Sequence, residues 1–158
     1  MRLVILLLIT MSLYSNSFNF NEYRFVYAVG TTFKKSGSIV INNEAITISY
    51  KKPNFKKIIS DGEAIGIEDE SGKVNQLKGR ALIYTKQYLD LIIKVERTKV
   101  LESNENFDVE MKDQIQTLYP KNEMKKQVEK IEVKRVNGEI SEFKMFMSNS
   151  DTVEIIKE

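Results

Sequence analysis

The chain has 158 residues, and its 24 basic and 22 acidic side chains give a net charge of +2. This length fits one domain, and so balanced a charge argues against nucleic-acid binding, which needs a strongly basic face. The sequence contains neither cysteine nor histidine. Disulfides, thiol nucleophiles, serine–histidine–aspartate triads and zinc sites with nitrogen and sulfur ligands are therefore excluded.

The N-terminal stretch has the pattern of a signal peptide. A basic start, Met1-Arg2, precedes an apolar run from Leu3 to Tyr14, and Ser15-Asn16-Ser17 follows with small residues where signal peptidase requires them. The run is shorter than the roughly 20 residues that span a bilayer. We predict a signal peptide at residues 1–17, cleavage after Ser17 and export. No cysteine follows the run to carry a lipid.

Several later segments alternate apolar and polar residues with the period of a strand. Turn-forming pairs separate them, namely Asn42-Asn43, Asp61-Gly62, Ser71-Gly72 and Asn137-Gly138. The predicted strands are Ser38–Ile41, Ala45–Tyr50, Lys56–Ser60, Glu63–Glu68, Lys130–Val136, Glu139–Met147 and Thr152–Ile156.

The middle of the chain has a different period. From Gly79 to about Arg97 the apolar residues recur at helical spacing. Ala81, Thr85, Tyr88, Ile92 and Val95 form one apolar stripe, and Leu82 and Leu89 lie beside it. Because Leu89–Val95 also fits an alternating strand, the helix is predicted through Ile93 and the rest stays open. The predicted fold class is α+β and mainly antiparallel β, with one helix against a curled sheet in a single domain, residues 18–158.

Two short motifs contain residue types that serve in catalysis or metal binding. Ser141 and Lys144 match the spacing of serine acyl enzymes, but in a strand these positions point to opposite faces. The acidic run Glu68-Asp69-Glu70 lies next to a turn and lacks the spaced oxygens of a calcium loop. We therefore expect a protein that is not an enzyme and needs no metal or other cofactor. Catalysis by carboxylates alone is the alternative left open.

Residues 36–77 resemble the outer-membrane lipoprotein carrier family, LolA. That family has a glycine before a hydrophobic strand, an aromatic-rich strand ending at a proline, and a strand running into Ser-Asp-Gly. The matching segments here are Gly37–Ile41, Ile46–Pro53 and Ile58–Gly62. The resemblance implies further strands after the helix and an open, unclosed β-barrel (half-barrel) with a helical lid on its concave face.

The resemblance also implies a function. The protein would be a monomeric periplasmic chaperone that binds the acyl chains of lipoproteins in an apolar cavity. It would receive them from an inner-membrane lipoprotein-releasing ABC transporter and deliver them to an outer-membrane acceptor. The candidate cavity residues are Ile39, Ile41, Ile46, Ile48, Tyr50, Ile65, Ile67, Leu82, Leu89, Ile131, Val133, Phe143 and Met145.

Some family features are missing. LolA-like proteins carry an Arg-Pro pair at the turn after the first of these strands, and its arginine helps latch the lid. This chain has Asn42-Asn43-Glu44 there, so the latch cannot be carried over. Periodicity alone favours a packed core over a cavity. A periplasmic sensing or interaction module with the same fold and a filled core is therefore the alternative function.

Overall fold

A computed structural model describes residues 15–158, which form one antiparallel sheet and one long helix. Helix α1 (Gly79–Arg97) lies between the sixth and seventh strands in the chain, and two short 3-10 turns cover Tyr27–Val29 and Glu123–Lys126. The strands are β1 (Ser15–Val26), β2 (Thr31–Asn42), β3 (Ala45–Lys52), β4 (Lys56–Ser60), β5 (Ile65–Glu68), β6 (Val74–Gln76), β7 (Phe107–Lys112), β8 (Ile115–Pro120), β9 (Val128–Val136), β10 (Glu139–Met147) and β11 (Thr152–Lys157).

The 11-stranded sheet is open. Its strand order is β6-β5-β4-β3-β2-β1-β11-β10-β9-β8-β7, so β6 and β7 are edges that do not pair with each other. Ile65 of β5 and Phe107 of β7 nevertheless belong to the same buried core as the helix. The sheet therefore curls around α1, which confirms the predicted α+β half-barrel with a helix against it.

The predicted turns all join paired strands. Asn43, Asn137 and Gly138 have positive φ angles of 50°, 54° and 84°, as tight antiparallel hairpins require. The hairpin of β9 and β10 closes where Val136 pairs with Glu139. Gly37 meets a different need, since a Cβ there would lie 2.2 Å from the carbonyl oxygen of Ser49.

Strand β1 begins before the predicted signal cleavage site. Ser15 and Ser17 pair with Asn42 and Val40 of β2, and the amide of Asn16 donates a hydrogen bond to Glu96 in α1. Cleavage after Ser17 would remove these contacts, and its position stays a prediction. Residues 1–14, which hold most of the predicted signal peptide, lie outside the described residues.

Helix α1 extends to Arg97, which excludes a strand at Leu89–Val95. Its burial is uneven. The buried residues all lie in the C-terminal half: Leu89, Leu91, Ile92, Ile93 and Val95. In the N-terminal half Ala81 is exposed, contrary to its predicted place on the apolar stripe, and so is Ile83. Only the C-terminal half of the helix is therefore fully buried in the core, whereas Leu82 and Tyr88 of the N-terminal half are partly buried against it.

Candidate ligand-binding groove

An apolar groove of about 290 Å³ lies between the N-terminal half of α1 and the sheet. Its volume is near the lower limit of small-molecule sites, about 300 Å³, so it has room for one slender ligand. The groove is lined by Ile58, Tyr84, Thr85, Gln87, Tyr88, Leu91, Met124, Gln127, Val128, Ile131, Met145 and Met147.

Strand pairing brings part of the lining together. Ile131 of β9 pairs directly with Met145 of β10, and Val128 pairs with Met147. Directly opposed residues share a face of the sheet, so these four side chains form one wall. On the facing helix Tyr84, Tyr88 and Leu91 are four and three residues apart, which places them on one side.

The lining chemistry suits a neutral apolar ligand. None of the twelve described lining residues is charged. Met124, Met145 and Met147 are flexible and can repack around ligands of different shape. Burial raises the pKa of Tyr88, which keeps its phenol neutral, and its ring packs edge-on against Phe143 with centroids 6.3 Å apart.

Gln87, which borders both the groove and a second, more polar space, has an unused hydrogen-bond acceptor. The buried Oε1 of Gln87 has no hydrogen-bond partner among residues 15–158. A buried polar atom without a partner is costly. A ligand bearing an N–H or O–H group next to its apolar part would satisfy this atom.

The other half of the half-barrel is filled. Under the C-terminal half of α1 the remaining space, between Phe18, Ile39, Ile92 and Phe143 among others, is only about 20 Å³. This is room for a single water at most. A second space beside this half of the helix, about 190 Å³ around Asp90, Lys94 and Lys121, is lined mostly by polar and charged residues, so an apolar ligand is better accommodated in the groove.

The structure distributes the thirteen predicted cavity residues over several places. Ile131 and Met145 line the groove, and Ile39 and Phe143 border the small filled space. Ile67 and Leu82 are half-buried and border neither. The remaining seven are buried in the core: Ile41, Ile46, Ile48, Tyr50, Ile65, Leu89 and Val133. Ligand contact by any of the thirteen stays a prediction.

Ten groove residues were absent from the sequence-based set. The sequence pattern does place two of them on an apolar face, since Ile58 lies on a predicted strand and Tyr88 on the helical stripe. Met147 follows Met145 at strand spacing. Met124 lies in the 3-10 turn, where no period in the sequence points to a face.

Tyr50 belongs to a closed polar cluster. Its hydroxyl donates a 2.7 Å hydrogen bond to the buried carboxylate of Glu22, and Lys35 Nζ lies 3.7 Å from the same group. Burial, with added effects from Tyr88 and Glu22, raises the pKa of Tyr50. Because these groups satisfy one another, the cluster is structural.

Two arginines anchor the C-terminal end of α1. Arg97 donates hydrogen bonds to the carbonyl of Asn43 and, at 2.9 Å, to the carboxylate of Glu44. Arg135 of β9 donates to the carbonyls of Val95 and Thr98 at 2.6 and 2.7 Å. The turn at Asn42-Asn43-Glu44 thus receives an arginine from the helix.

The N-terminal half of α1 has a weaker attachment. Lys86 donates a hydrogen bond to the carbonyl of Gly62 and lies 3.4 Å from Asp90 of its own helix. The half of the helix that borders the groove is therefore the half with fewer hydrogen bonds and ion pairs to the sheet and its turns.

Comparisons with known proteins give a structural similarity but no matching family. No protein-family model matches the sequence, and no curated protein matches it. Among solved structures, a DUF1329 family protein from Desulfovibrio piger is similar over 94% of this chain and 85% of that chain, with a TM-score of 0.47 and 8% sequence identity. A likeness this weak carries no argument about function. Within residues 15–158 no helix is long and apolar enough to cross a membrane.

Proposed function

We propose that this protein is a periplasmic carrier that holds acyl chains of lipid-modified proteins in the groove and moves them from the inner to the outer membrane. The supporting observation is an uncharged apolar groove beside an otherwise filled half-barrel. An acyl chain gains about 0.8 kcal/mol for each methylene removed from water. A courier across an aqueous space must therefore cover the chain, and the groove offers such cover.

The size of the groove implies movement. A volume of about 290 Å³ accommodates a single slender chain, so cargo with several chains requires a wider opening. The N-terminal half of α1 forms one wall and has few anchors, whereas its C-terminal half is packed and held by Arg97 and Arg135. The helix therefore acts as a lid that opens at its N-terminal end.

The resemblance of residues 36–77 to LolA supports the proposed partners. They are acylated lipoproteins as cargo, an inner-membrane lipoprotein-releasing ABC transporter as donor and an outer-membrane acceptor. The carrier works as a monomer without a cofactor, because hand-over of an acyl chain requires only differences in affinity.

One observation favours the alternative of a sensing or interaction module. The space under the C-terminal half of α1 is nearly closed, as in an ordinary packed core. Mass spectrometry of the native protein purified from its host separates the two functions. Lipid that co-purifies supports the carrier, and protein that is consistently empty supports the module.

Binding of a fluorescent fatty acid tests the groove directly. Met145→Gln places a polar amide in the groove, and we expect about tenfold weaker binding because the amide is desolvated without a partner. Met111→Gln makes the same change on the exposed surface of β7 and should bind like the parent. Thermal unfolding of both variants monitors stability. Equal affinity of the two variants, or no probe binding by the parent, would contradict the proposal.

A further inference from the structure

One end of the sheet is strongly basic. We define the basic rim as residues 23–35, at the tip of the β1–β2 hairpin, and residues 50–57, around the turn from β3 to β4. The rim contains no acidic residue. Its seven basic residues are Arg24, Lys34, Lys35, Lys51, Lys52, Lys56 and Lys57.

Most of these charges are not neutralised. Lys35 Nζ lies 3.7 Å from Glu22, and Lys57 Nζ lies 3.4 Å from Glu68. The other five basic residues of the rim form no salt bridge within the described part of the chain. Two further carboxylates from outside the rim, Glu70 and Asp151, accept hydrogen bonds from the backbone of Phe55 and Tyr27. The seven basic residues outnumber these four neighbouring carboxylates, so the rim is a net positive surface.

Apolar side chains project from the same rim. Tyr27, Val29 and Phe33 are 65%, 63% and 50% exposed, and Phe55 is exposed as well. The β1–β2 hairpin extends past β3, which pairs with β2 only as far as Ser36, whereas β11 pairs with β1 up to Phe25. Tyr27 and Val29 stand at the turn of this hairpin, Phe33 follows on β2, and Phe55 lies in the neighbouring turn from β3 to β4.

The rim adjoins the groove. The backbone N–H of Tyr27 donates a 2.9 Å hydrogen bond to the carboxylate of Asp151, whose carbonyl accepts one from Met147 at 2.9 Å. Ser148 N–H donates to the carbonyl of Gln127, also at 2.9 Å. Met147 and Gln127 line the groove, so the hairpin tip and the groove mouth lie at the same end of the sheet.

We propose that the basic rim docks this protein on the surface of an anionic lipid bilayer. The lysines attract anionic headgroups, while Tyr27, Val29 and Phe33 enter the interfacial region, where aromatic side chains are favoured. Three apolar side chains on one hairpin and a fourth on the neighbouring turn fit a fluid interface better than the broad, flat surface of a protein partner. If the proposed carrier function holds, docking brings the groove mouth to the lipid from which an acyl chain enters.

Vesicle co-sedimentation tests the docking. The processed protein should bind vesicles of equal parts phosphatidylcholine and phosphatidylglycerol, bind phosphatidylcholine vesicles weakly, and lose binding as salt increases. Lys51→Gln with Lys52→Gln should lower the partition coefficient on the order of tenfold. Lys99→Gln with Lys112→Gln makes the same charge change at the opposite end of the sheet and should have a much smaller effect.

A second pair of variants tests the apolar tip. Tyr27→Ser with Val29→Ser should also weaken binding to the mixed vesicles, whereas Val100→Ser with Val136→Ser, at exposed sites outside the rim, should not. Intact mass must show that all variants share one N-terminus.

The proposal fails if the parent does not bind anionic vesicles, if rim and control variants behave alike, or if the rim binds only an acidic protein. Fatty-acid binding in solution should survive in the rim variants, and docking should survive in Met145→Gln, so failure of one proposal is distinguishable from failure of the other.

Discussion

Ile48 and Met145 carry the same sequence signal but lie in different surroundings. Both occupy the apolar face of an alternating strand. Ile48 pairs with Ile39 on one side and Ile58 on the other, and it is only 1% exposed. Met145 pairs with Ile131 beside the groove and is half-buried. Alternation fixes the face of a strand on which a side chain lies, whereas the distance of the helix from that face decides between core and groove.

This difference predicts the effect of substitution at Ile48. Ile48→Ser should lower the free energy of unfolding by about 3 kcal/mol or more, because it leaves a cavity and a buried hydroxyl. Ile67→Ser, at a half-buried position two strands away, should lower it clearly less. Urea denaturation measures both. A stable Ile48→Ser protein that has lost fatty-acid binding would instead place Ile48 in a ligand cavity.

At the scale of elements, turn chemistry decided how much could be predicted. The hairpin at Asn137-Gly138 could be placed because both residues accept positive φ angles. The hairpin of β7 and β8 turns at Asp113-Gln114, a weaker signal, so its strands could be expected only from the resemblance and without bounds. Strand β1 was not predicted, and its first residues, Ser15-Asn16-Ser17, also fit a cleavage site.

The helix shows what periodicity cannot predict. Helical spacing indicated α1 and its apolar stripe, but spacing is the same in both halves of the helix. The anchoring depends on side chains from distant segments, Arg135 from β9 and the turn at Asn43-Glu44. Such contacts exist only once the sheet has curled. The sequence of the turn at Asn42-Asn43-Glu44 therefore could not show that Arg97 of the helix would bind there.

The uneven anchoring predicts uneven amide exchange. Amides of residues 82–88 should exchange with deuterium faster than those of residues 89–97, and faster than those of Ile46–Tyr50 and Ile131–Val133, because the N-terminal half of α1 opens without global unfolding. An acylated ligand should slow exchange in the N-terminal half. Uniform protection along the helix, unchanged by the ligand, would show that α1 is a fixed part of the core and would contradict the lid.

At the scale of the whole molecule, Glu96 connects the chain's first strand, last strand and helix. Its side chain is only 4% exposed and lies 3.7 Å from Lys157 of β11. In the unprocessed chain it also accepts a 3.0 Å hydrogen bond from Asn16 of β1, which the predicted cleavage after Ser17 would remove. The sequence predicted an apolar helix and a last strand, but it did not predict that Glu96 would lie buried between them. The position of this side chain depends on how three elements pack together, which no local sequence pattern indicates.

Burial raises the pKa of Glu96 above its usual value, and Lys157 offsets part of this effect. The folded protein therefore binds the proton more tightly than the unfolded chain does. The resulting stability is fully present below the unfolded pKa, about 4.3, and is lost as pH rises through the folded pKa.

Glu96→Gln should remove this loss. The free energy of unfolding of the variant, relative to that of the parent, should therefore increase from acid to neutral pH. Urea denaturation across that range measures the difference, with Glu139→Gln, an exposed carboxylate 3.8 Å from the same lysine, as the charge control. An identical pH dependence in the parent and Glu96→Gln would mean that solvent reaches this carboxylate and that the junction of the three elements opens in solution.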